Sequence, residues 1–307
     1  MNTMKWLVRR ELWEHKGAFV WTPMFISAVL VVLMLGSAIW GSGHVSVGNM
    51  DGVDMQQVRS APQLAEAVKM IASTYLLAGA PVFAALGFVV FLFCVGTLSD
   101  ERHDKSVLFW KSLPISDGQT VASKAAMALL IAPFLACLGA IVVGLVALVV
   151  ISILAGVAGV SILPGVLATP ATYLAPLKLL SLVPVYALCA LPAVGWLMLV
   201  GVAAPNKALL WAVGLPVIAG VLVSWTGMTL DVDTGWFWRQ VVSRALLGVF
   251  PGSWLAHGGT MTVDSPFDHL VSAGWASLTT ARVWIGAAAG AGMLVLATRM
   301  RRFKDEG

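Results

Sequence analysis

Residues 99–124 read SDERHDKSVLFWKSLPISDGQTVASK and form the densest run of charge in this chain, with long apolar segments on both sides. A charged side chain at the centre of a bilayer costs about 3 kcal/mol or more, so such a run must lie in water next to a membrane. Asp100 to Leu113 is compatible with a short helix, which Pro114 would end. The stretch therefore predicts a water-exposed loop, with a short helix, that joins two membrane spans.

The composition around this loop is that of a membrane protein. Of the 307 residues, 59% are hydrophobic and 11% are charged, whereas soluble domains carry about 25% charged residues. The mean hydropathy is +0.89. We expect a single all-α, polytopic membrane domain that covers residues 1–307.

Six apolar runs are long enough to cross a bilayer. They are about Phe19–Trp40, Met70–Leu98, Ala125–Gly159, Leu177–Ala204, Ala208–Met228 and Val283–Thr298. Trp21 and Trp40 bracket the first run and would lie roughly 28 Å apart along a helix, close to the hydrocarbon thickness of about 30 Å. The third run exceeds one span, so it must tilt, extend beyond the membrane, or break near Pro133 or the Gly156/Gly159 pair.

The segments outside these runs differ in character. Residues 1–18 mix Lys and Arg with Trp6 and Trp13, which predicts a helix lying in the membrane interface, although Glu11 and His15 fall on its apolar face. Gly41–Lys69 is expected to be a polar loop. Residues 229–281 interleave Trp and Phe with Arg, which predicts short interfacial helices on the outer face.

The distribution of basic residues predicts the orientation. With six spans, both termini share one side with the loop of residues 99–124 and with Lys207, and that side holds 13 of the 19 Lys and Arg residues. Cytoplasmic segments carry the excess of basic residues, so this side is expected to face the cytoplasm. The protein is therefore predicted to be a multi-pass protein of the cell (inner) membrane with both termini inside.

The sequence offers little catalytic chemistry. The predicted spans contain no Asp or Glu, and no Gly-Lys dipeptide occurs anywhere, so the chain has no P-loop. The three cysteines lie in apolar runs without metal or redox spacing. His257 and His269 with Asp264 and Asp268 could bind a metal on the outer face, but a solvated loop is the favoured interpretation. We expect no catalytic residue, metal site or cofactor in this chain.

The charged loop itself admits two interpretations. A short helix with apolar anchors and a charged surround can dock into a groove on a soluble protein. Alternatively, the loop rests on lipid headgroups with Trp110 as an interfacial anchor. Spacing alone leaves both open.

A resemblance to a known family favours the first interpretation. The order Leu98-Ser99-Asp100-Glu101-Arg102, Ser106, Phe109-Trp110-Lys111-Ser112-Leu113-Pro114-Ile115-Ser116 and Ser123-Lys124 resembles the first cytoplasmic loop of type-2 ABC exporter permeases. In that family an E-R pair, a small hydroxyl residue, S-L-P-[IV]-S and a Lys that opens the next helix recur in this order. Arg10-Glu11-Leu12-x-Glu14-x-Lys16 is similar to the same family's N-terminal elbow helix.

The resemblance implies a permease subunit of an ATP-driven exporter. Two such subunits, as a homodimer, would pair among membrane lipids, and each would bind a separate ABC ATPase subunit that holds ATP and Mg. Residues 99–124 would be the cytoplasmic coupling loop, residues 1–18 the elbow helix and residues 229–281 the outer elements before the last span. The partner-binding residues of the coupling helix would be Asp100, Glu101, Arg102, Ser106, Phe109, Trp110, Lys111 and Leu113. No nucleic-acid partner is expected.

Two alternatives stay open at this point. The chain could instead be a non-transporting membrane anchor or regulator that recruits a soluble partner through the same loop. In the last span, Gly286-x-x-x-Gly290 gives a small-residue face, which serves either packing within one bundle or a dimer contact.

Overall fold

The computed structural model describes residues 3–40, 61–103, 116–157, 159–204, 207–253 and 266–304. The fold is 91% helical, and these residues contain no strand. Within the described ranges, six helical segments are long and apolar enough to cross a membrane. The prediction of an all-α polytopic protein with six transmembrane helices is confirmed.

We number the spans in chain order. They are span 1 Gly17–Gly36, span 2 Leu64–Ser99, span 3 Asp117–Val157, span 4 Pro170–Ala203, span 5 Ala208–Leu230 and span 6 Ala281–Arg301. The α-helices run over Thr3–Glu14, Thr22–Trp40, Ala61–Thr74, Ala80–His103, Asp117–Ala126, Ala132–Val157, Leu163–Ala168, Pro170–Ser181, Val183–Ala203, Ala208–Leu230, Gly235–Phe237, Ser243–Leu247, Pro266–Ser277 and Ala281–Lys304.

Two of the long helical segments contain a wide π turn shortly before a proline. The turn Gly17–Trp21 precedes Pro23, and the turn Met127–Ile131 precedes Pro133. A proline inside a helix lacks an N–H donor, and its ring clashes with the carbonyl four residues earlier. A π turn widens the helix at that point and lets the chain continue. Both helices therefore pass their proline without ending.

Span 3 is longer than the bilayer requires, as its apolar run predicts. It extends beyond that run to Asp117 at one end. At the other end the helix stops at Val157, and Gly159 has φ +80°, a left-handed conformation that favours glycine. The Val160 N–H then donates to the Ala155 carbonyl over 2.8 Å, as expected for a glycine-terminated helix.

Span 4 is the centre of the bundle. It has the largest buried share of any span, and Val194, Leu197 and Met198 are fully buried in its second half. Its contact with span 6 is the most extensive between two helices of the described chain. Spans 1, 5 and 6 lie outside it and expose apolar side chains, as helices that face lipid do.

One predicted loop is partly wrong. The expected polar loop Gly41–Lys69 contains the start of a helix at Ala61. This helix forms because Val68 and Ala72 are buried against the rest of the bundle, which a simple count of polar residues does not reveal. Residues 41–60 lie outside the described part of the chain.

Candidate functional site

One end of the bundle brings together the elements that flank the charged loop. It is formed by the helix Thr3–Glu14, the end of span 2, the start of span 3 and the end of span 6. We call it the terminal face, because the first described helix and the end of the last one meet there. The helix Thr3–Glu14 packs onto it through Leu7 and Glu11, both buried, while Trp6 and Trp13 are exposed on the helix.

A buried ionic cluster lies at the centre of the terminal face. Lys124 Nζ is 3.1 Å from Glu11 Oε2 and donates to Thr97 Oγ1 over 2.7 Å. The side chains of Lys124 and Glu11 are 2% and 1% exposed. Charges at that depth are strongly unfavourable unless they are paired. This cluster, which we call the clasp, therefore joins the N-terminal helix, span 2 and span 3 at a single point.

Further groups surround the Glu11 carboxylate. Arg10 Nη2 is 3.4 Å from Glu11 Oε1, and His15 Nδ1 is 3.9 Å from Glu11 Oε2. The His15 ring packs edge-on against Phe93 of span 2, with the ring centroids 5.0 Å apart. The carboxylate thus has cationic or polar neighbours on both oxygens.

A second ion pair holds the start of span 3 from another side. Arg301 Nε, at the end of span 6, is 3.5 Å from Asp117 Oδ1 in the first turn of span 3. The Arg301 side chain is only 7% exposed, so water screens this contact weakly. Span 3 is therefore tied at its first residue to span 6 and, about two turns later, to the N-terminal helix.

The chain re-enters the described fold at a well-formed helix start. Ser116 Oγ accepts from the Gln119 N–H, and the Ser116 N–H donates to Gln119 Oε1, both over 3.3 Å. This reciprocal capping box satisfies two N–H groups that a helix start would otherwise leave unpaired. Ser116 is also the last residue of the S-L-P-I-S motif, so the motif ends where span 3 begins.

The predicted partner-binding residues divide into two groups. Asp100, Glu101 and Arg102 belong to the last turn of the helix Ala80–His103, which continues span 2 without a break. The sequence predicts a helix that begins at Asp100, whereas in the structure these three residues end a helix that begins at Ala80. The others, Ser106, Phe109, Trp110, Lys111 and Leu113, lie outside the described residues.

The sequence interpretation misses the buried clasp, although one signal points to it. Glu11 lies on the apolar face of the N-terminal helix, where an unpaired carboxylate would be costly. The sequence places its partner Lys124 at the end of a solvated loop, but this residue is buried inside span 3. The position of Glu11 indicates a buried partner, but the sequence alone does not show that Lys124 is that partner.

The same neighbourhood has the spacing of a metal site. Glu11, Glu14 and His15 offer ligand atoms within 4.8 Å of one another. However, Lys124 and Arg10 already contact Glu11, and Arg10 Nε donates to Glu14 Oε2 over 3.3 Å. Since these cations neutralise both carboxylates, the arrangement is better suited to an ionic contact between helices than to a metal ion.

Gly286 and Gly290 of span 6 lie against span 4. A Cβ on Gly290 would be 2.5 Å from the Leu191 carbonyl oxygen, and one on Gly195 would be 2.5 Å from the Gly290 carbonyl oxygen. Gly286 is next to Pro192, whose Cγ would lie 3.2 Å from such a Cβ. These two glycines of the GxxxG pattern therefore serve packing within this bundle.

Of the residues considered for a metal on the predicted outer face, Asp268 already has a charged partner. Asp268 Oδ1 is 2.6 Å from Lys178 Nζ, a half-exposed ion pair. His257 and Asp264 lie outside the described residues.

Short helices over Gly235–Phe237, Ser243–Leu247 and Pro266–Ser277 form in the segment 229–281.

These features define a multi-pass α-helical membrane protein with a buried ionic clasp formed by Glu11, Thr97 and Lys124. No known family model, no curated protein and no solved structure matches this chain.

Proposed function

We propose that this chain is the permease subunit of an ATP-driven exporter in the cell membrane. Two copies pair, and each copy couples to a separate ABC ATPase subunit through the loop between spans 2 and 3. The termini and this loop face the cytoplasm. The motif order in residues 98–124 motivates the proposal, and the clasp formed by Glu11, Thr97 and Lys124 is the structural observation that carries it.

The clasp suits a loop that transmits force. Thr97 lies shortly before His103, where the described helix ends, and Lys124 lies shortly after Ser116, where the described chain resumes. Because both sides of the loop are held at one buried point, a displacement of the loop moves spans 2 and 3 and the N-terminal helix together. Rigid movement of packed helices about an interface is an established way to convert a local contact into a change of access.

The absence of a nucleotide motif from the sequence supports a separate energy source. The chain contains no Gly-Lys dipeptide and hence no P-loop. ATP and Mg would therefore be held by the partner subunit. ATP binding there would draw two partner subunits together, and with them the two loops.

The proposal is tested by purifying the tagged full chain from its native membranes. We expect a P-loop ATPase to co-purify with the wild-type chain. The Phe109→Asp/Trp110→Asp variant should lose it, because two charges replace the apolar anchors of the loop. The readout is the ratio of ATPase to tagged chain by quantitative mass spectrometry.

A matched control carries the same change elsewhere in the chain. Trp236→Asp/Phe237→Asp alters a neighbouring aromatic pair, with ring centroids 5.8 Å apart, in the segment between spans 5 and 6. This control should retain the ATPase. Retention of the ATPase by the loop variant, or its absence from the wild-type preparation, contradicts the proposal.

A further inference from the structure

One cavity in the described part of the chain lies away from the terminal face. Its volume is about 570 Å³, within the range of small-molecule sites. Span 4, the start of span 6 and the helices Ser243–Leu247 and Pro266–Ser277 surround it. Most of its wall is apolar, including Leu188, Pro192, Leu247, Phe250, Ala273 and Val283.

Two arginines lie in the wall of this cavity. Arg244 Nη1 donates to the Arg282 carbonyl oxygen over 2.9 Å, which brings the two residues together. Arg244 is partly buried and Arg282 is exposed. Burial lowers the pKa of Arg244, and the charge of Arg282 lowers it further, whereas Cys189 raises it. The cavity wall therefore contains two basic side chains.

No acidic side chain lines the cavity among the residues that the structure describes. The acidic residue of the helix Pro266–Ser277, Asp268, is already paired with Lys178 at 2.6 Å. Two arginines in a mostly apolar wall would be stabilised by an anion, and arginine binds phosphate through two parallel hydrogen bonds.

We propose that this cavity binds an anionic phospholipid of the surrounding bilayer. The phosphate contacts Arg244 and Arg282, and an acyl chain occupies the apolar part of the cavity. A free phosphate ester would satisfy the arginines but would leave the apolar wall uncovered, which favours a lipid. This inference concerns binding alone and does not rest on the proposed export function.

The test compares lipids bound to the purified full chain. The protein is exchanged into micelles with equal amounts of phosphatidylglycerol and phosphatidylcholine, and bound lipid is counted by native mass spectrometry. We expect a preference for phosphatidylglycerol that falls about fivefold in Arg244→Gln and about fivefold in Arg282→Gln. The Arg282 variant keeps the carbonyl that Arg244 contacts, so it tests the charge without removing that hydrogen bond.

Two controls make the result specific. Arg239→Gln removes the same charge from the same segment but lies outside the cavity wall, so it should keep the preference. Ala276→Phe fills the cavity and should reduce lipid binding while both arginines remain. The proposal is overturned if both arginine variants keep the preference, or if Arg239→Gln loses it to the same extent. It is also overturned if Ala276→Phe binds lipid fully, or if free glycerol phosphate competes equally well.

Discussion

At the scale of single residues, we expect the ion pair between Glu11 and Lys124 to affect stability strongly. Both side chains are almost fully buried, and Thr97 supplies a further acceptor for the ammonium group. Removing one partner of a buried pair leaves an uncompensated charge, whereas replacing both with apolar residues is often neutral. The two cases can be separated by mutation.

We predict that Lys124→Met lowers the free energy of unfolding by about 3–5 kcal/mol, because it leaves the Glu11 carboxylate buried without its closest cation. The double variant Glu11→Leu/Lys124→Met should recover most of that loss. Thermal unfolding of the purified protein in detergent gives the comparison, read as a double-mutant cycle.

The pair between Lys178 and Asp268 provides the control. It is shorter, at 2.6 Å, but its side chains are 40% and 41% exposed. Lys178→Met should therefore cost less than about 1 kcal/mol. Equal losses at Lys124 and Lys178 would show that burial does not govern the strength of these pairs.

The same residues show what a sequence can and cannot predict. Glu11 on an apolar helix face already signals a buried charge. Its partner is 113 positions away in the chain, and no local pattern encodes that distance. The loop motif can be recognised in the sequence because its residues are close together in the chain. The clasp cannot, because it depends on how three separate helices pack.

At the scale of elements, local residue types predict a helix boundary well where the boundary is exposed to water. They predict it poorly where the helix is held by packing against other helices. Ser116 with Gln119 makes a capping box from residue types that favour it. The polar composition around Ala61 does not predict the helix that starts there, because its stability comes from buried Val68 and Ala72. Tertiary packing overrides the polar composition of such a segment.

We predict that Gly290→Ala destabilises the contact between spans 4 and 6. The new Cβ would lie 2.5 Å from the Leu191 carbonyl oxygen, so the backbones must separate. Overpacking of this kind costs about 1–3 kcal/mol. The measurement is the apparent melting temperature of the purified protein, followed by the fluorescence of its tryptophans.

Gly292→Ala is the matched control on the same helix. A Cβ there meets nothing within 4 Å, so the substitution should leave the melting temperature unchanged or raise it slightly, because alanine favours the helix by about 0.5–1 kcal/mol. A larger loss from Gly292→Ala than from Gly290→Ala would instead place the critical face of span 6 towards another subunit.

At the scale of the whole molecule, the described contacts link the helices of the terminal face in series. Glu11 ties the N-terminal helix to span 3, and Asp117 ties span 3 to Arg301 at the end of span 6. The first and last helices are thus connected through the helix that follows the charged loop. Under the proposed function, we expect this connection to transmit a displacement of residues 99–124 to these helices together.

The last prediction concerns how this bundle lies in the membrane. Span 5 runs over Ala208–Leu230, and at 1.5 Å per residue it is about 34 Å long, enough to place its ends on opposite sides of a bilayer. Lys207 precedes it and Val232 follows it, and both are exposed. In a variant whose native cysteines are replaced by alanine, we expect a membrane-impermeant maleimide to label Val232→Cys on intact cells. Lys207→Cys should react only after permeabilisation, because the side of the membrane with more basic residues lies inside. The reverse pattern would invert the orientation and place the charged loop outside the cell, where no ATP-binding subunit could reach it.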